Sequence, residues 1–326
     1  MHILIIGAAG MIGRKLTERL ARDGTLNGLP IERLDLVDVA PPTAPSDAAF
    51  EVNAAAADLS EPATAARLVA DKPDVIFHLA AIVSGEAEAD FDKGYRINLD
   101  GTRFLLEAIR RASYVPRLVF TSSIAVFGAP FPASRVPDDF NLTPLTSYGT
   151  QKAICELLLA DYTRKGFVDG VGLRFPTIVV RPGAPNKAAS GFFSGIIREP
   201  LSGIEAVLPV GDDVRHWLAS PRAAVGFLVH AAGLDGAAIG PRRNITLPGV
   251  EVTVGEMIEG LKKVAGETVA SRIRREPDPA VSKIISGWPE AFEAKRSLEL
   301  GFTADADFEA IVRAHIEDER EGSFVE

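Results

Sequence analysis

Short β-rich apolar runs alternate with helical patterns through the first half of the chain. The runs HILIIG, RLDLVDV, DVIFHLAA, PRLVFTSS and VGLRFPTIVV are separated by MIGRKLTERLARDG, PATAARLVADK, INLDGTRFLLEAIRRAS and SYGTQKAICELLLADYTRKG. A strand that reaches the next strand through a helix is held parallel to it, so this alternation predicts an α/β fold. The fold is a doubly wound parallel sheet with helices on both faces. With 326 residues the chain is long for one compact core, and one large or two unequal domains are expected. After RPG at 181–183 the texture turns rich in Gly, Pro, Ala and Ser. Residues 1–175 are therefore read as the sheet domain. Residues 176–326 are read as a smaller C-terminal part that binds substrate and returns some segments to the sheet.

The first strand–helix junction carries GAAGMIG, in which Gly7, Gly10 and Gly13 have the spacing G-x-x-G-x-x-G. Such a junction permits a tight turn and close backbone approach to a pyrophosphate. The free N–H groups and positive end of the helix dipole then face the phosphates. Gly7, Gly10, Met11, Ile12 and Gly13 are the predicted phosphate loop of a Rossmann-type sheet. A glycine turn after a strand is common and weak by itself; its position at the first junction gives it weight. Asp38 ends the second run, where a carboxylate can accept hydrogen bonds from adenosine ribose hydroxyls and would repel an added phosphate. NAD is thus expected rather than NADP, with Arg14 and Lys15 the nearby cations that could offset Asp38.

The stretch SYGTQK places Tyr148 and Lys152 four residues apart at the start of a helix, hence on one face. A free tyrosine has a pKa of about 10, so service as a base near neutrality needs cationic help worth roughly 3–4 kcal/mol. Lys152 and an oxidised nicotinamide are the expected sources. Ser122 and Ser123 end the fourth run, where open parallel sheets bind ligands. Ser123, Tyr148 and Lys152 form the predicted catalytic set: serine to hold an alcohol oxygen, phenolate to take its proton, lysine to stabilise the phenolate. Each residue alone also has an ordinary reading, as a turn serine, a surface tyrosine or a solvated lysine.

Composition narrows the classes further. The net charge of −9 argues against a nucleic-acid-binding surface, while a local arginine can still hold a small anion. One cysteine, Cys155, excludes an internal disulfide and suits a reducing cytoplasm; it is read as a small core residue. The five histidines show no metal-ligand spacing, so no metal is expected, and His78 is read as an interior histidine. No apolar run reaches membrane-spanning length and no secretory leader is recognised, so a cytoplasmic setting without membrane contact is expected.

With GAAGMIG, Asp38, ADL at 57–59, HLAA at 78–81, INLDGT at 97–102, TSSIAVFG at 121–128 and SYGTQK in place, the chain resembles the extended short-chain dehydrogenase/reductase, or NAD-dependent epimerase/dehydratase, family over nearly its whole length. The resemblance implies that Asp58 and Leu59 flank the adenine, and that Leu79 and Ala80 run along the cofactor. It further implies that Asn98 supports the site and that the segment after Pro176, with Thr177, meets the nicotinamide. Subunit pairing as a homodimer is a further implication.

Dehydratases of this family carry an Asp–Glu pair after the catalytic serine or threonine. Here those positions hold Ile124 and Ala125, which argues against elimination of water. The segment RPGAPNKAASGFFSGIIREPLSG is similar to a group within the family that oxidises the C2 hydroxyl of a four-carbon sugar acid, D-erythronate, with NAD. Arg215, in VRHWLASPR, stands where nucleotide-sugar enzymes hold a diphosphate and could equally fork onto a carboxylate. Asn186, with Lys187 and Ser190, lies in a polar loop that could cover the substrate; Arg222 is read as a surface residue. The expected activity is NAD-dependent oxidation of a sugar acid. A nucleotide-sugar 4-epimerase is the rival enzyme, and a non-catalytic NAD-binding sensor the rival outside catalysis.

Overall fold

The computed structural model describes residues 1–132, 135–183 and 190–325. The strands that position the site are β1 (His2–Ile6), β2 (Arg33–Asp38), β3 (Glu51–Ala56), β4 (Val75–His78), β5 (Arg117–Ser123), β6 (Asp169–Phe175), β7 (Thr177–Ile178), β8 (Arg215–Ala219), β9 (Asn244–Thr246) and β10 (Val250–Thr253). The main helices are α1 (Met11–Asp23), α2 (Pro62–Leu68), α3 (Gly101–Ala112), α4 (Ser147–Arg164), α5 (Gly191–Leu201), α6 (Pro221–Gly233), α7 (Val254–Ala265) and α8 (Phe308–Glu319).

Seven strands form one parallel sheet in the order β9-β6-β5-β4-β1-β2-β3. The continuous apolar character of β1 follows from burial on both faces. Ile3 and Ile5 join a core with Leu16 and Leu20 of α1 and Phe227 of α6. Leu4 and Ile6 point the other way, into a core with Leu105, Leu106 and Ile109 of α3 and Cys155 and Leu159 of α4. Each such fully buried aliphatic side chain is worth roughly 1.5–3 kcal/mol, so helices on both faces are held by the same strands. Helix α1 ends at Gly24, whose φ of 62° is the left-handed conformation of a helix terminus.

The run VGLRFPTIVV is divided. Pro176 lacks an N–H and interrupts it. The part before the proline, β6, lies in the large sheet, and β7 lies in a second sheet of order β10-β8-β7. That sheet packs with α5, α7 and α8 around Phe193, Ile196, Leu218, Met257, Leu261 and Ile311. The chain then returns: β9 pairs in parallel with β6 at the edge of the large sheet, and α6 packs on that sheet's face. The helix expected over INLDGT begins as a π-helical turn, Tyr95–Asp100, which carries Asn98, before α3 continues it. No helix among the described residues is long and apolar enough to cross a membrane.

Candidate active site

Ser122 and Ser123 are adjacent on β5 and therefore point to opposite faces. Ser122 turns into the interior, where its hydroxyl donates to Glu156 Oε1 at 2.6 Å. Glu156 and Arg174 form a buried forked ion pair, with Arg174 Nη2 2.7 Å from Glu156 Oε2 and Arg174 Nε 2.9 Å from Oε1. The pair ties α4 to β5 and β6 beneath the site. Ser123 faces the other way: its Oγ accepts from Ala125 N–H at 3.1 Å, and its hydroxyl favours the ionised form of the Tyr148 phenol.

Tyr148 lies in the first turn of α4, which Thr146 caps by accepting from Gly149 N–H at 3.0 Å. Gly149 has a steric reason. A Cβ there would stand 2.1 Å from the Ala125 carbonyl oxygen and 3.1 Å from Pro144 Cβ. Only a residue without a side chain lets α4 press against the turn that follows Ser123, and this contact brings serine and phenol together. One helical turn on, Lys152 is 2% exposed. Its Nζ donates to the Thr121 carbonyl at 2.8 Å and lies 5.7 Å from the centre of the Tyr148 ring and 4.8 Å from that of Phe120. Burial brings the lysine down to about 8, against the upward pull of Cys155 and Glu156. The Tyr148 phenol is pushed above its ordinary value by desolvation, while the Arg181 charge and the Ser123 hydroxyl pull it down.

The glycine loop follows β1, which β4 separates from β5 in the sheet. Gly7 has φ 95°, and a Cβ there would meet Ala80 N at 2.6 Å and the Leu79 carbonyl carbon at 2.8 Å. A Cβ on Gly13 would stand 2.2 Å from the Gly7 carbonyl oxygen. These two glycines make the cradle shallow and keep it close to Leu79 and Ala80. Gly10 is the N-cap of α1, with no side-chain cap and no acid in the first turn, so the N–H groups at Met11, Ile12 and Gly13 are open to an anion. Asp38 holds the rim of the loop: its Oδ2 accepts from Ala9 N–H at 2.9 Å and its Oδ1 from Val39 N–H at 2.7 Å. Arg14 Nη1 donates to the Ala9 carbonyl, near Asp38, whereas Lys15 is paired with Glu319 of α8.

Asp58 Oδ1 accepts from the backbone and hydroxyl of Ser60 at 2.8 and 2.7 Å, and Leu59 is buried against Gly101. Asn98 is 2% exposed and fully engaged: it accepts from Ile82 N–H at 2.9 Å and donates to the Ile82 carbonyl and to Gln151 Oε1. It fastens the loop after β4 to α4. His78 is buried, hydrogen-bonds Thr102 Oγ1 at 2.8 Å and is held down to about 3 by desolvation. Cys155 is buried in the core.

The C-terminal part contributes two groups. Thr177 on β7 shares a 2.7 Å hydrogen bond with Nε2 of buried His216, whose ring stacks on Phe193 with centres 4.8 Å apart. Arg181 follows β7, and its charge acts on the Tyr148 phenol. Arg215 is 37% exposed and donates to Glu251 Oε1 at 3.2 Å, an acid it shares with Arg135. Arg222 pairs with Glu317 and Asp318 on the surface. Asn186 and Lys187 lie outside the described residues.

Sequence reasoning passed over Arg181, Gly149 and the Glu156–Arg174 pair. Each left a signal: an arginine in RPG directly after a strand, a glycine inside a helical first turn where it is unfavourable, and an acid inside an apolar helical run.

A glycine cradle at the first strand–helix junction of a doubly wound sheet, with a serine, tyrosine and lysine set two strands away, is the arrangement of a dinucleotide-dependent enzyme, and comparison with known proteins specifies it. Residues 3–236 match the model of the NAD dependent epimerase/dehydratase family, and the chain belongs to that family. It is 51% identical over 322 residues to D-erythronate dehydrogenase of Cupriavidus necator, covering 98% of both chains. It is 42% identical to D-erythronate dehydrogenase of Haemophilus influenzae, covering 97% of this chain and 99% of that one. Among solved structures it superposes at a TM-score of 0.97 on one described as a nucleoside-diphosphate-sugar epimerase from Agrobacterium tumefaciens. That protein is 64% identical, with coverage of 99% of this chain and 95% of the other.

Proposed function

We propose that the protein is an NAD-dependent dehydrogenase that oxidises the C2 hydroxyl of D-erythronate, or of a closely similar sugar acid, to the 2-oxo acid. The observation that carries the reading is the joining of Ser123, Tyr148 and Lys152 by the Gly149–Ala125 contact. The substrate class comes from the two D-erythronate dehydrogenases that the chain matches end to end. Residues 1–175 hold the dinucleotide and residues 176–326 shape most of the acid pocket, with Arg215 among its polar side chains.

The cradle fits NAD: a Cβ at Gly7 or Gly13 would fill it, α1 presents uncapped N–H groups, and Asp38 offers acceptor oxygens at its rim. Gly7, Gly10, Met11, Ile12 and Gly13 would hold the pyrophosphate and Asp38 the ribose. Asp58, Leu59, Leu79 and Ala80 would line the adenine side, Asn98 would brace the site, and Thr177 with Lys152 would meet the nicotinamide half. When bound, the oxidised nicotinamide supplies a hydride acceptor and a positive charge near Tyr148.

Ser123 donates to or accepts from the substrate C2 oxygen and fixes it against the phenol. Tyr148, as phenolate, takes the hydroxyl proton onto Oη as C2 gives up its hydrogen with the bonding pair. Lys152, anchored at Thr121, and Arg181 keep the negative oxygen stable. Burial holds the Tyr148 phenol above its usual value, so the charge of the bound nicotinamide is what would bring its ionised form toward neutral pH.

The Agrobacterium relative favours a second reading, a nucleotide-sugar 4-epimerase using the same three residues. A panel of four- to six-carbon sugar acids and common nucleotide sugars, each with NAD and with NADP, separates the two. A dehydrogenase accumulates NADH in proportion to free sugar acid. An epimerase shows no net NADH and consumes only nucleotide-bearing substrates. A reducing cytoplasm and pairing with a second copy of the chain complete the reading; sedimentation of the purified protein tests the pairing.

A further inference from the structure

We propose that Gln151 is a positioning residue of the reaction: the hydrogen bond that its Oε1 accepts from Asn98 sets the rotation of α4 and so aims Tyr148 and Lys152. This deepens the dehydrogenase reading above and rests on it. Successive residues of an α-helix turn by about 100°. Tyr148 and Lys152 are then about 40° apart on one face, and Gly149 and Gln151 lie about 80° to either side of its midline. Each flank of that face needs a stop of its own.

The Gly149 flank rests on the Ala125 carbonyl. The Gln151 flank rests on Asn98. The Asn98 side chain forks onto one residue: its Oδ1 accepts from Ile82 N–H at 2.9 Å, and its Nδ2 donates to the Ile82 carbonyl at 3.2 Å. That fork fixes which amide atom is the oxygen. The remaining Nδ2 proton goes to Gln151, 2.8 Å away, which must present its own oxygen. Ile82 follows Leu79 and Ala80, the residues that a Cβ on Gly7 would strike. One run of contacts thus joins the glycine cradle, through Ile82 and Asn98, to the helix that carries the phenol and the ammonium.

Burial gives this bond its weight. Gln151 is fully buried and Asn98 nearly so, which keeps water from competing for either amide. The Gln151 Nε2 has no partner among the described residues, so the amide acts through its oxygen. Gly94, directly before the π-helical turn that carries Asn98, makes room for it. A Cβ there would stand 2.6 Å from Gln151 Nε2 and 3.2 Å from Ala87 Cβ. The Gly94 backbone, with φ −56° and ψ −53°, is ordinary helix, so space and not backbone freedom calls for glycine. A second hold on the first turn of α4, from Ser147 N–H to Glu88 Oε2 at 2.9 Å, lies at the surface, where water competes.

The test uses Gln151→Met, which keeps the length of the side chain and removes the acceptor, and Gly94→Ala, which improves helix propensity and pushes the amide out of place. With D-erythronate and NAD, both variants lose kcat roughly ten- to hundredfold, the scale of a displacement near 1 Å, while KM and NAD affinity stay within about threefold. Gln151 acts through Asn98, so its loss adds nothing once Asn98 is gone. The kcat of Asn98→Ala/Gln151→Met stays within about threefold of that of Asn98→Ala. Amide hydrogen exchange on the protein without cofactor reads the same link apart from turnover. In both Gln151→Met and Gly94→Ala the Ile82 amide exchanges at least about tenfold faster, and loop 7–13 exchanges at the wild-type rate.

Losses that multiply in the double variant overturn the assignment, as does unchanged Ile82 exchange. If Gln151→Met does not fold, Gly94→Ala decides by the same two readouts. If wild type forms NADH from D-erythronate and the variants keep its kcat, the positioning role fails alone. If wild type forms no NADH from any sugar acid while Ile82 exchange rises in both variants, the dehydrogenase reading fails and the hold of Gln151 on α4 stands. If neither NADH nor faster exchange is seen, both fall.

Discussion

Substitution of Gly149 by alanine tests the geometric core of the site with the smallest available change. The added Cβ would lie 2.1 Å from the Ala125 carbonyl oxygen, 3.0 Å from its carbon and 3.1 Å from Pro144 Cβ. The oxygen and carbon belong to the backbone of the turn after Ser123, capped by that serine at 3.1 Å, so neither can rotate away. Relief needs α4 and the turn to separate by about 1 Å, the difference between the built contact and an ordinary carbon–oxygen approach. Tyr148 and Lys152 ride on α4 and Ser123 precedes the turn on the other side, so the displacement moves the phenol and the ammonium away from the serine. A misplacement of about 1 Å costs on the order of a hundredfold in rate, and overpacking costs roughly 1–3 kcal/mol in stability. Initial-rate kinetics followed by NADH absorbance, with NAD affinity from quenching of protein fluorescence, separate the two effects. We expect kcat to fall about a hundredfold with NAD affinity within threefold, because the glycine cradle is untouched. A kcat within threefold of wild type in a folded variant would refute the argument that Gly149 sets the site.

Three further outcomes follow from other contacts. Asp38→Ala narrows the preference for NAD over NADP by at least tenfold in kcat/KM, since the carboxylate at the loop rim is lost while Arg14 remains beside Ala9; an unchanged preference contradicts that role. Glu156→Ala leaves Arg174 buried without its partner and lowers unfolding stability by about 3–5 kcal/mol in urea titration; a loss under 1 kcal/mol contradicts the buried pair. His78, desolvated to about 3 from 6.5, takes up its proton only on unfolding, so its contribution is present above 6.5 and is lost as pH falls toward 3. Between pH 7 and pH 4.5 wild type should lose about 2.5 kcal/mol more than His78→Gln; parallel losses would contradict it.

Much of the sheet was legible because its central strands are buried on both faces and write their position as unbroken apolar runs. Strand β3 was not, since EVNAAA is an edge strand that is mostly exposed and held by its pairing with β2, a contact that leaves no local pattern. Helix α5 was hidden by its glycines and Pro200. Burial of Phe193, Ile196, Ile197 and Leu201 overrides their poor propensity. The candidate site was legible where chemistry demands particular residues at fixed spacing, as at Gly7, Gly13, Tyr148 and Lys152. The second cation acting on the phenol, Arg181, was not legible as such. It comes from a segment 33 residues beyond Tyr148, and its relation to the phenol exists only once β7 has left the large sheet.

The central claim is that the Tyr148 oxygen removes the substrate proton in an oxidation that leaves NADH behind. The direct test is NADH formation from D-erythronate by wild type and Tyr148→Phe, with NAD affinity measured on both. Wild type should yield one NADH per 2-oxo acid, and the variant should lose at least two orders of magnitude in kcat, the usual scale of general base catalysis, while binding NAD normally. A variant that turns over like wild type, or a wild type that converts a nucleotide sugar with no net NADH, would contradict the account.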